Sequence, residues 1–539
     1  MSNLEICFGP PGTGKTTKVL RAVEQLIKSG TSAEEIVYAT FQKKAAEDAA
    51  ARGGVMLDES RFKTLHGLCY GLLGVGRGGV VDSRSLRAFA KKVGVEFVFE
   101  HLSDEGDEVT APSQESVDRK ASRHIAAFNL SRQLCKTPAE LDQVRQKAHP
   151  EIEMWNTGRE INDYRTFIGK YEGWKKSEGL IDFTDMFELV LRQNVRVPAW
   201  KAVFLDECQD ISPLGWSVFR KTLFDKPEVT MVGDDDQAVA RFAGARVEEF
   251  LALRSEAKVT HLEQTHRFGP ELVQFCATIA ERLHVREPKT VRPKLGVINT
   301  ISQTDKFDPW ACSGETFLLH RHRIGCDGIA QWMIQAGKPF INERGINPLG
   351  RKEIAGYRAF AKLRKEGMVE QSDIQKILDV VPPFRDIAGK RHWMTNYHGK
   401  GKIQDKIRMG QQRFTSADLS TVMTSDFWVA LSKNDWTVTN IAPPAYYEKL
   451  EAAGWSLGGR KHPDITITTI HGSKGREADH VYLFSEMMGK LRGEEDEHRV
   501  AYVGASRAKK SLTVVTESMA EVKGMVNYVY PSVIGAAQP

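Results

Sequence analysis

The chain has 539 residues, which is too long for one hydrophobic core, so we expect roughly two to four domains. Hydrophobic residues make up 41% and charged residues 27%, an ordinary globular profile, and no apolar run reaches the ~18 residues of a membrane span. The net charge of +5 permits nucleic-acid binding without requiring it. Seven scattered cysteines without a C-x-x-C pair argue against a disulfide framework or a zinc site, and no signal-peptide pattern is present, so we expect a reducing cytoplasm.

The first recognisable element is a phosphate-binding loop. Residues 9–17 (GPPGTGKTT) fit the P-loop pattern G-x-x-x-x-G-K-[ST], between a predicted strand at 4–8 and a predicted helix at 16–29. Glycines let backbone N–H groups approach a phosphate chain, and the helix N-terminus adds a favourable dipole. A chance glycine-rich turn would not explain why loop, Lys-Thr pair and flanking elements agree. The predicted nucleotide-binding residues are Gly9, Pro10, Pro11, Gly12, Thr13, Gly14, Lys15, Thr16 and Thr17.

Short apolar strands then alternate with helices, which predicts a parallel α/β sheet. The strand pattern nearly vanishes between residues 84 and 179, where charged helical sequence dominates, and it vanishes again between 347 and 455. We therefore predict two α/β lobes, each carrying a mostly helical insertion. The predicted strands are residues 36–40, 61–64, 202–207, 229–233, 316–319, 465–469, 481–484 and 511–515. The predicted helices are residues 41–50, 66–73, 86–93, 121–135, 138–147, 161–177, 263–283 in part, 329–336, 353–366 and 371–381.

Two predicted strands end in clustered carboxylates. Asp206 and Glu207 close the strand at 202–207, and residues 234–237 (DDDQ) follow the next one. Ligands of open α/β sheets sit outside the carboxyl ends of the strands. Beside a P-loop, Asp206 and the Thr16 hydroxyl suit Mg²⁺, and Glu207 can accept a proton from an attacking water. A merely solvated acidic strand end is the alternative, and the P-loop disfavours it.

The order of these motifs resembles the superfamily 1 DNA helicases of the UvrD/Rep/PcrA type. The resemblance runs from about residue 4 to residue 515. The segments that carry it are residues 9–17, 40–46, 64–69, 181–185, 205–210 (LDECQD), 232–245, 262–267, 469–477 and 497–508.

The resemblance implies an α/β fold of two RecA-like P-loop NTPase lobes with parallel sheets. It implies the division 1–83 plus 180–268 (first lobe), 84–179 (its insertion), 269–346 plus 456–539 (second lobe) and 347–455 (its insertion). It also implies a DNA-dependent ATPase that uses ATP and Mg²⁺, moves 3′ to 5′ on single-stranded DNA and opens single-strand/duplex junctions. We expect a monomer without membrane contact, in a bacterial cell or a phage-infected host.

The resemblance also assigns residue roles. Catalysis would use Lys15 on the phosphates, Glu207 as base, Gln237 as γ-phosphate sensor, and Arg267 and Arg507 as arginine fingers. Glu477 would contact the nucleotide sugar. A surface ion pair is the ordinary fate of an arginine, and a core position is the ordinary fate of a phenylalanine such as Phe242. The implied DNA contacts are Thr40, Phe41, Thr64, His66, Phe242 as a base-stacking platform, and His471.

The chain departs from the family pattern in several places. It has only residues 1–4 where the family has an adenine-reading Leu-Asn-x-x-Gln segment, which leaves nucleotide-base selectivity open. Ala240 and Ala243 stand where the family has Tyr and Arg, residues 265–267 read THR instead of NYR, and Cys208 replaces an aromatic residue.

Three alternatives remain. One is a translocase that strips proteins from single strands with little unwinding. Another is an AAA+-like loader or switch, which should lack D-E-x-Q-D and take its arginine finger from a neighbouring subunit. The third is a binding protein with a relic ATP site, which intact Lys15, Glu207 and Arg507 disfavour.

Overall fold

The computed structural model describes residues 4–41, 46–47, 49–50, 61–94, 119–136, 158–342, 348–382, 384–387, 390–395, 397–457, 463–485 and 494–516. Two six-stranded sheets dominate these ranges, which confirms the predicted α/β class. Among the helices of these ranges, none has both the length and the apolar content to cross a bilayer. The predicted helix at 138–147 and half of that at 41–50 lie outside the described residues.

The first sheet is entirely parallel, with strand order β3-β2-β4-β5-β1-β6. Because β1 lies beside β5, which lies beside β4, the carboxyl ends of these three strands meet at one edge. The P-loop and both carboxylate clusters therefore share that edge. The strands are β1 Leu4–Phe8, β2 Ile36–Thr40, β3 Phe62–Thr64, β4 Ala202–Asp206, β5 Glu228–Gly233 and β6 Lys258–His261.

Helices cover both faces of this sheet, so every residue of β2 and β4 and all of β1 except Glu5 are buried. Leu4, Ile6 and Phe8 face one apolar core, whereas Cys7 faces the core on the opposite side. The helices of this lobe are α1 Lys15–Lys28, α2 Leu65–Leu73, α6 Phe183–Arg192, α7 Pro213–Thr222 and α8 Val247–Ala252.

The first insertion contributes three described helices, α3 Ser83–Val93, α4 Arg119–Gln133 and α5 Gly158–Glu178. They share a small core that includes Phe89, Tyr171 and Trp174. The insertion is joined to the start of α6 by buried ion pairs: Arg132 lies 3.2 Å and Lys175 2.6 Å from Asp182. These ion pairs connect α4 and α5 to the residue that precedes α6.

The second sheet is also parallel, with order β7-β16-β15-β8-β14-β9. Its strands are β7 Thr300–Thr304, β8 Thr316–His320, β9 Ile341–Asn342, β14 Ile465–Thr469, β15 Ala478–Phe484 and β16 Ala508–Val515. Its helices are α9 Pro270–Ala280, α10 Arg323–Ala336 and α17 Glu494–Ala505.

The second insertion packs on one face of this sheet, since Phe360 and Phe427 share a core with Leu318 and Ile467. It also contains two short antiparallel ribbons, which the prediction of a mostly helical segment did not include. Its helices are α11 Arg351–Glu366, α12 Gln371–Val380, α13 Tyr397–Arg408, α14 Ser416–Ser420, α15 Ser425–Ser432 and α16 Pro444–Ala452. Its strands are β10 Met368–Glu370, β11 Phe384–Ile387, β12 Lys390–Trp393 and β13 Arg413–Thr415.

Several observed elements were not predicted, and α13, β7 and β6 show why. The basic, glycine-containing stretch that forms α13 has low helix propensity, but burial of Ile403 holds it in a helix. Strand β7 is polar and largely exposed, so only its pairing with β16 identifies it. Strand β6 lies at the edge of the first sheet and has no fully buried residue. The residue boundaries of lobes and insertions stay predictions.

Candidate nucleotide site between the two lobes

The P-loop turns from β1 into α1 at the edge of the first sheet. The Gly9 amide donates to the Gly233 carbonyl at 3.0 Å, and Gly14 precedes α1 with a φ of +83°, a conformation that favours glycine. A Cβ on Gly9 would lie 2.8 Å from Cγ of Lys15. The Lys15 ammonium donates to the Gly9 carbonyl at 2.6 Å. The loop therefore presents a cation and a helix N-terminus at the same point.

Thr16 and Asp206 form the pair predicted for a metal ion. The Thr16 hydroxyl donates to a carboxylate oxygen of Asp206 at 2.8 Å, and the Tyr38 hydroxyl donates to the same oxygen at 2.8 Å. Asp206 is buried, and this burial, together with the charge of Glu207, raises the pKa of its carboxyl. A hard divalent cation at this position would offset that cost, so this donor set fits Mg²⁺.

Glu207 occupies an unusual backbone conformation beside this pair. Its φ of +56° and ψ of +41° lie in the left-handed region, and its amide donates to Asp206 at 2.8 Å. Burial acts to raise the pKa of Glu207, but the positive charges of Lys474 and Lys15 hold it below its usual value. A non-glycine residue in this conformation costs of order 1–3 kcal/mol and marks functional sites in many proteins. The carboxylate is therefore charged and available as a base.

Gln237 and Arg507 meet across the two lobes. The Arg507 guanidinium donates to the Gln237 side-chain oxygen at 2.7 Å, and the Gln237 amide donates to Asp234 at 2.6 Å. Burial, followed by the neighbouring charge of Arg267, lowers the pKa of Arg507 to about 10. The arginine predicted as a finger thus reaches from the second lobe to the predicted γ-phosphate sensor of the first.

Arg267 lies where the chain crosses between the lobes. Its guanidinium donates to the Ser506 carbonyl at 3.1 Å and pairs with the Glu477 carboxylate. The preceding residue, His266, donates its backbone amide to the Gly12 carbonyl at 2.8 Å. Arg267 and Glu477, which the sequence assigned to different parts of the nucleotide, are therefore neighbours beside the P-loop.

The sequence did not single out Lys474, although it lies inside the segment that resembles motif V. Its buried ammonium is 2.5 Å from Asp210 and 3.7 Å from Glu207, and it donates to the Gln237 carbonyl at 2.9 Å. Burial, with a contribution from Glu207, raises the pKa of Asp210 to about 6 against the opposing effect of Lys474. Lys474 is the single lysine in residues 469–477, and this feature of the sequence could have identified it.

The residues predicted to contact DNA divide between the lobes. Thr40 and Thr64 end neighbouring strands of the first sheet, Phe41 follows Thr40, and Thr64 caps α2 through the Gly67 amide at 3.0 Å. Across the boundary, Phe242 and His471 meet edge to face, with ring centroids 5.6 Å apart. Five of the six candidate residues thus lie at or next to strand ends or at the junction between lobes, and the sixth, His66, lies in the first turn of α2.

His66 shows where sequence reasoning missed an aromatic partner. Its ring stacks on Phe187 at 4.1 Å and meets Phe183 edge to face at 5.6 Å. Burial lowers the pKa of His66 to about 4. Within the described residues, neither Nε2 of His66 nor the Thr40 hydroxyl has a hydrogen-bond partner. Phe183 is 38% exposed next to His66, and its place in the D-F-x-D segment could have identified it.

Two family models match the chain. The UvrD/REP helicase N-terminal domain matches residues 5–258, and the UvrD-like helicase C-terminal domain matches residues 464–515. The two models together match more than half of the chain.

Curated relatives agree with these models. ATP-dependent DNA helicase Rep of Escherichia coli is 24% identical over 93% of this chain and 87% of its own length. DNA helicase II of the same organism is 21% identical over 98% of this chain and 84% of its own. ATP-dependent DNA helicase srs2 of Schizosaccharomyces pombe is 25% identical over 53% of this chain, and the match spans only 33% of that longer relative. The matched segments contain the P-loop, the Asp206–Glu207 edge and Arg507, and the chain belongs to the UvrD/Rep helicase family.

Proposed function

We propose that this chain is an ATP-dependent DNA helicase that moves along single-stranded DNA and separates duplex at single-strand/duplex junctions. The observation that carries the proposal is the nucleotide site itself. Lys15, Thr16, Asp206 and Glu207 come from the first lobe, and Arg507 reaches Gln237 from the second. Hydrolysis of a nucleotide bound between such groups can change the contacts that it makes with both lobes.

The chemistry follows from positions already described. Lys15 stabilises the β- and γ-phosphates, and Glu207, held ionised by Lys474 and Lys15, accepts the proton of the attacking water. Arg507 and Arg267 stabilise the charge that develops on the transferring phosphoryl group. Thr16 and Asp206 would hold Mg²⁺, which neutralises phosphate charge when bound.

Movement on DNA requires that nucleotide bind one arrangement of the lobes more tightly than the other. The DNA path we propose crosses the strand ends at Thr40 and Thr64, passes His66 and Phe41, and reaches Phe242 and His471. Aromatic side chains along such a path stack on bases without reading sequence. We propose travel in the 3′-to-5′ direction, which is supported only by the similarity of the chain to the helicase family. We also propose that the protein acts as a monomer.

We also propose the domain division 1–83 plus 180–268, 84–179, 269–346 plus 456–539, and 347–455. The strands of the two sheets are distributed in agreement with this division.

One experiment tests the function. ATP hydrolysis and strand separation are measured on 3′-tailed, 5′-tailed and blunt DNA duplexes and on an RNA duplex, with Lys15→Ala as the inactive control. We expect ATPase stimulated by single-stranded DNA, unwinding of the 3′-tailed duplex, and no turnover by Lys15→Ala.

The outcomes separate the alternatives. Stimulated ATPase without strand separation would favour the protein-stripping translocase. Near-normal hydrolysis by Lys15→Ala would refute the assignment of the nucleotide site.

A further inference from the structure

Three consecutive aspartates that follow β5 are buried together. Asp234, Asp235 and Asp236 are each at most 1% exposed. Buried carboxylates are costly unless they are paired and hydrogen-bonded. The cations that pair with these aspartates, Arg286 and Lys289, come from the loop after α9. The proposed catalytic scheme does not use either cation.

Lys289 is the common partner of all three. Its side chain is 1% exposed, and its ammonium lies within 3.3 Å of a carboxylate oxygen of each aspartate. Arg286, from the same loop, forms a bidentate pair with Asp236 at 2.9 and 2.8 Å. Two cations thus face three buried carboxylates, and of the two cations Lys289 is buried whereas Arg286 is 19% exposed. The set of Asp234, Asp235, Asp236, Arg286 and Lys289 is called the Lys289 cluster below.

The cluster leads directly to the nucleotide site. Asp234 accepts a hydrogen bond from the Gln237 amide at 2.6 Å, which orients the Gln237 oxygen towards Arg507 at 2.7 Å. Because a side-chain amide can rotate, its orientation is set by its partners. Lys289 lies 3.3 Å from the other carboxylate oxygen of Asp234, so its charge can favour the Asp234 position that orients Gln237.

A further residue of the second lobe, Arg499 of α17, also contacts this cluster. This buried guanidinium donates to the Asp235 backbone carbonyl and, at 2.5 Å, to the Val285 carbonyl. It is held by Glu495 at 2.9 Å, whose carboxylate also accepts the Val285 amide at 2.9 Å. Arg499 and Arg507 lie eight residues apart in the chain and contact the two ends of one short segment of the first lobe.

We propose that Lys289 is a positioning residue for nucleotide hydrolysis, which acts through Asp234 on Gln237 and keeps it in register with Arg507. The inference deepens the proposed function and rests on it. Lys289 touches neither the P-loop nor the Thr16–Asp206 pair in the contacts described, so its effect belongs to turnover and not to nucleotide binding.

The test compares Lys289→Met, which removes the charge at similar length, with Lys289→Arg, which retains it. Lys294→Met, at an exposed lysine five residues later, is the matched control. Steady-state ATPase with and without single-stranded DNA gives kcat and KM, and direct titration gives the affinity for ATP. We expect Lys289→Met to lower kcat about 10- to 100-fold while KM changes less than about 2-fold, because small misplacements cost this much. Lys289→Arg should recover part of the loss.

A double-variant cycle separates positioning from general damage. If Lys289 acts through Gln237, adding Lys289→Met to Gln237→Ala should lower kcat by less than about 2-fold further, because coupled residues are not additive. Losses that multiply would overturn the proposal. Should Lys289→Met fail to fold, Lys289→Met combined with Asp235→Asn removes one charge of each sign and takes its place.

The remaining outcomes are distinguishable. A folded Lys289→Met protein with wild-type kcat overturns the inference, as does an equal loss in Lys294→Met. A wild-type chain that hydrolyses ATP without DNA stimulation or unwinding contradicts the proposed helicase function. In that case the Lys289 variants are compared with the wild type by their ATPase rates without DNA.

Discussion

At the scale of single residues, the surroundings of each carboxyl group in the candidate nucleotide site determine its charge. Asp206 and Glu207 are adjacent, yet their carboxyl pKa values shift in opposite directions. Asp206 faces Tyr38 and Thr16, which only partly offset its burial, whereas Glu207 faces two cations. The pair therefore separates into a group that would bind a cation and a group that remains a charged base.

The first prediction concerns Glu207→Gln. The substitution keeps the size of the side chain and its contact with Gln209 but removes the proposed base, so we expect ATP and DNA affinity to persist. We expect kcat to fall by about 100-fold or more, within the range of general-base contributions. Single-turnover hydrolysis and ATP titration measure the two quantities. Unchanged kcat would show that another residue accepts the proton.

The second prediction concerns pH. The pKa of Asp210 is raised to about 6, so the carboxylate that pairs with Lys474 is charged above that pH and neutral below it. We expect kcat to fall as pH drops through about 6, because the ion pair between the lobes is lost. The linked effect on stability has the opposite direction. The folded state binds the Asp210 proton more tightly than the unfolded state does, so the free energy of unfolding decreases as pH rises towards about 6.

The pH profile of kcat between pH 5 and 9 provides the measurement. Asp210→Asn should remove the limb near pH 6, whereas Asp373→Asn, at a half-buried site in the second insertion, should leave it in place. Persistence of the limb in Asp210→Asn would assign it to a different group.

At the scale of elements, the P-loop is packed against the segment that carries the chain from β6 towards α9. Thr265 donates its hydroxyl to the Pro11 carbonyl at 3.1 Å, and the His266 amide donates to Gly12. The phosphate-binding loop and Arg267 are therefore one structural unit. A substitution in this loop should therefore also displace Arg267.

The third prediction is Gly12→Ala. Gly12 has a φ of +75°, and an added Cβ would lie 2.7 Å from Cβ of Arg267 and 2.8 Å from the Thr265 hydroxyl. We expect kcat/KM for ATP to fall at least about 10-fold, since the left-handed conformation alone costs roughly 1–2 kcal/mol and Arg267 must shift as well. Gly30→Ala is the control, because Gly30 also has positive φ but no atom within 4 Å of the added Cβ. Equal losses in both variants would assign the effect to backbone strain alone.

At the scale of the whole molecule, the two lobes touch through buried charges beside the nucleotide site. Lys474 follows the short helical turn His471–Ser473, so a predicted DNA contact and the partner of Glu207 and Asp210 lie three residues apart. DNA bound at His471 can therefore alter the environment of the predicted base. We therefore predict that DNA acts on hydrolysis through His471 and Lys474.

The fourth prediction is Lys474→Met. Loss of the ammonium leaves Asp210 and Glu207 without their common partner, and we expect stimulation of the ATPase by single-stranded DNA to fall at least about 10-fold, as for loss of a fixed electrostatic group. ATP affinity should change little, since the P-loop and Thr16 remain intact. The ratio of stimulated to basal kcat is the measurement, and Lys510→Met, at an exposed lysine paired with Asp479, is the control. An unchanged ratio would exclude this route.

Much of the fold could be predicted from local sequence. Strands β1, β2 and β14 were predicted with their observed bounds, because each is a short segment rich in apolar or β-branched residues that favour strands. The polar edge strands and helix α13 were not predictable, because their own residues favour no regular structure and only distant partners hold them in place.

The sequence by itself determined the P-loop, the carboxylates at the strand ends and the order of the family motifs, since each is a local pattern with its own chemistry. Only the tertiary structure decided which charges meet. Lys474 pairs with Asp210 across 264 positions of chain, and Lys289 gathers three aspartates from more than 50 positions away. Burial makes such pairings strong, and burial is a property of the packed molecule and not of any one segment.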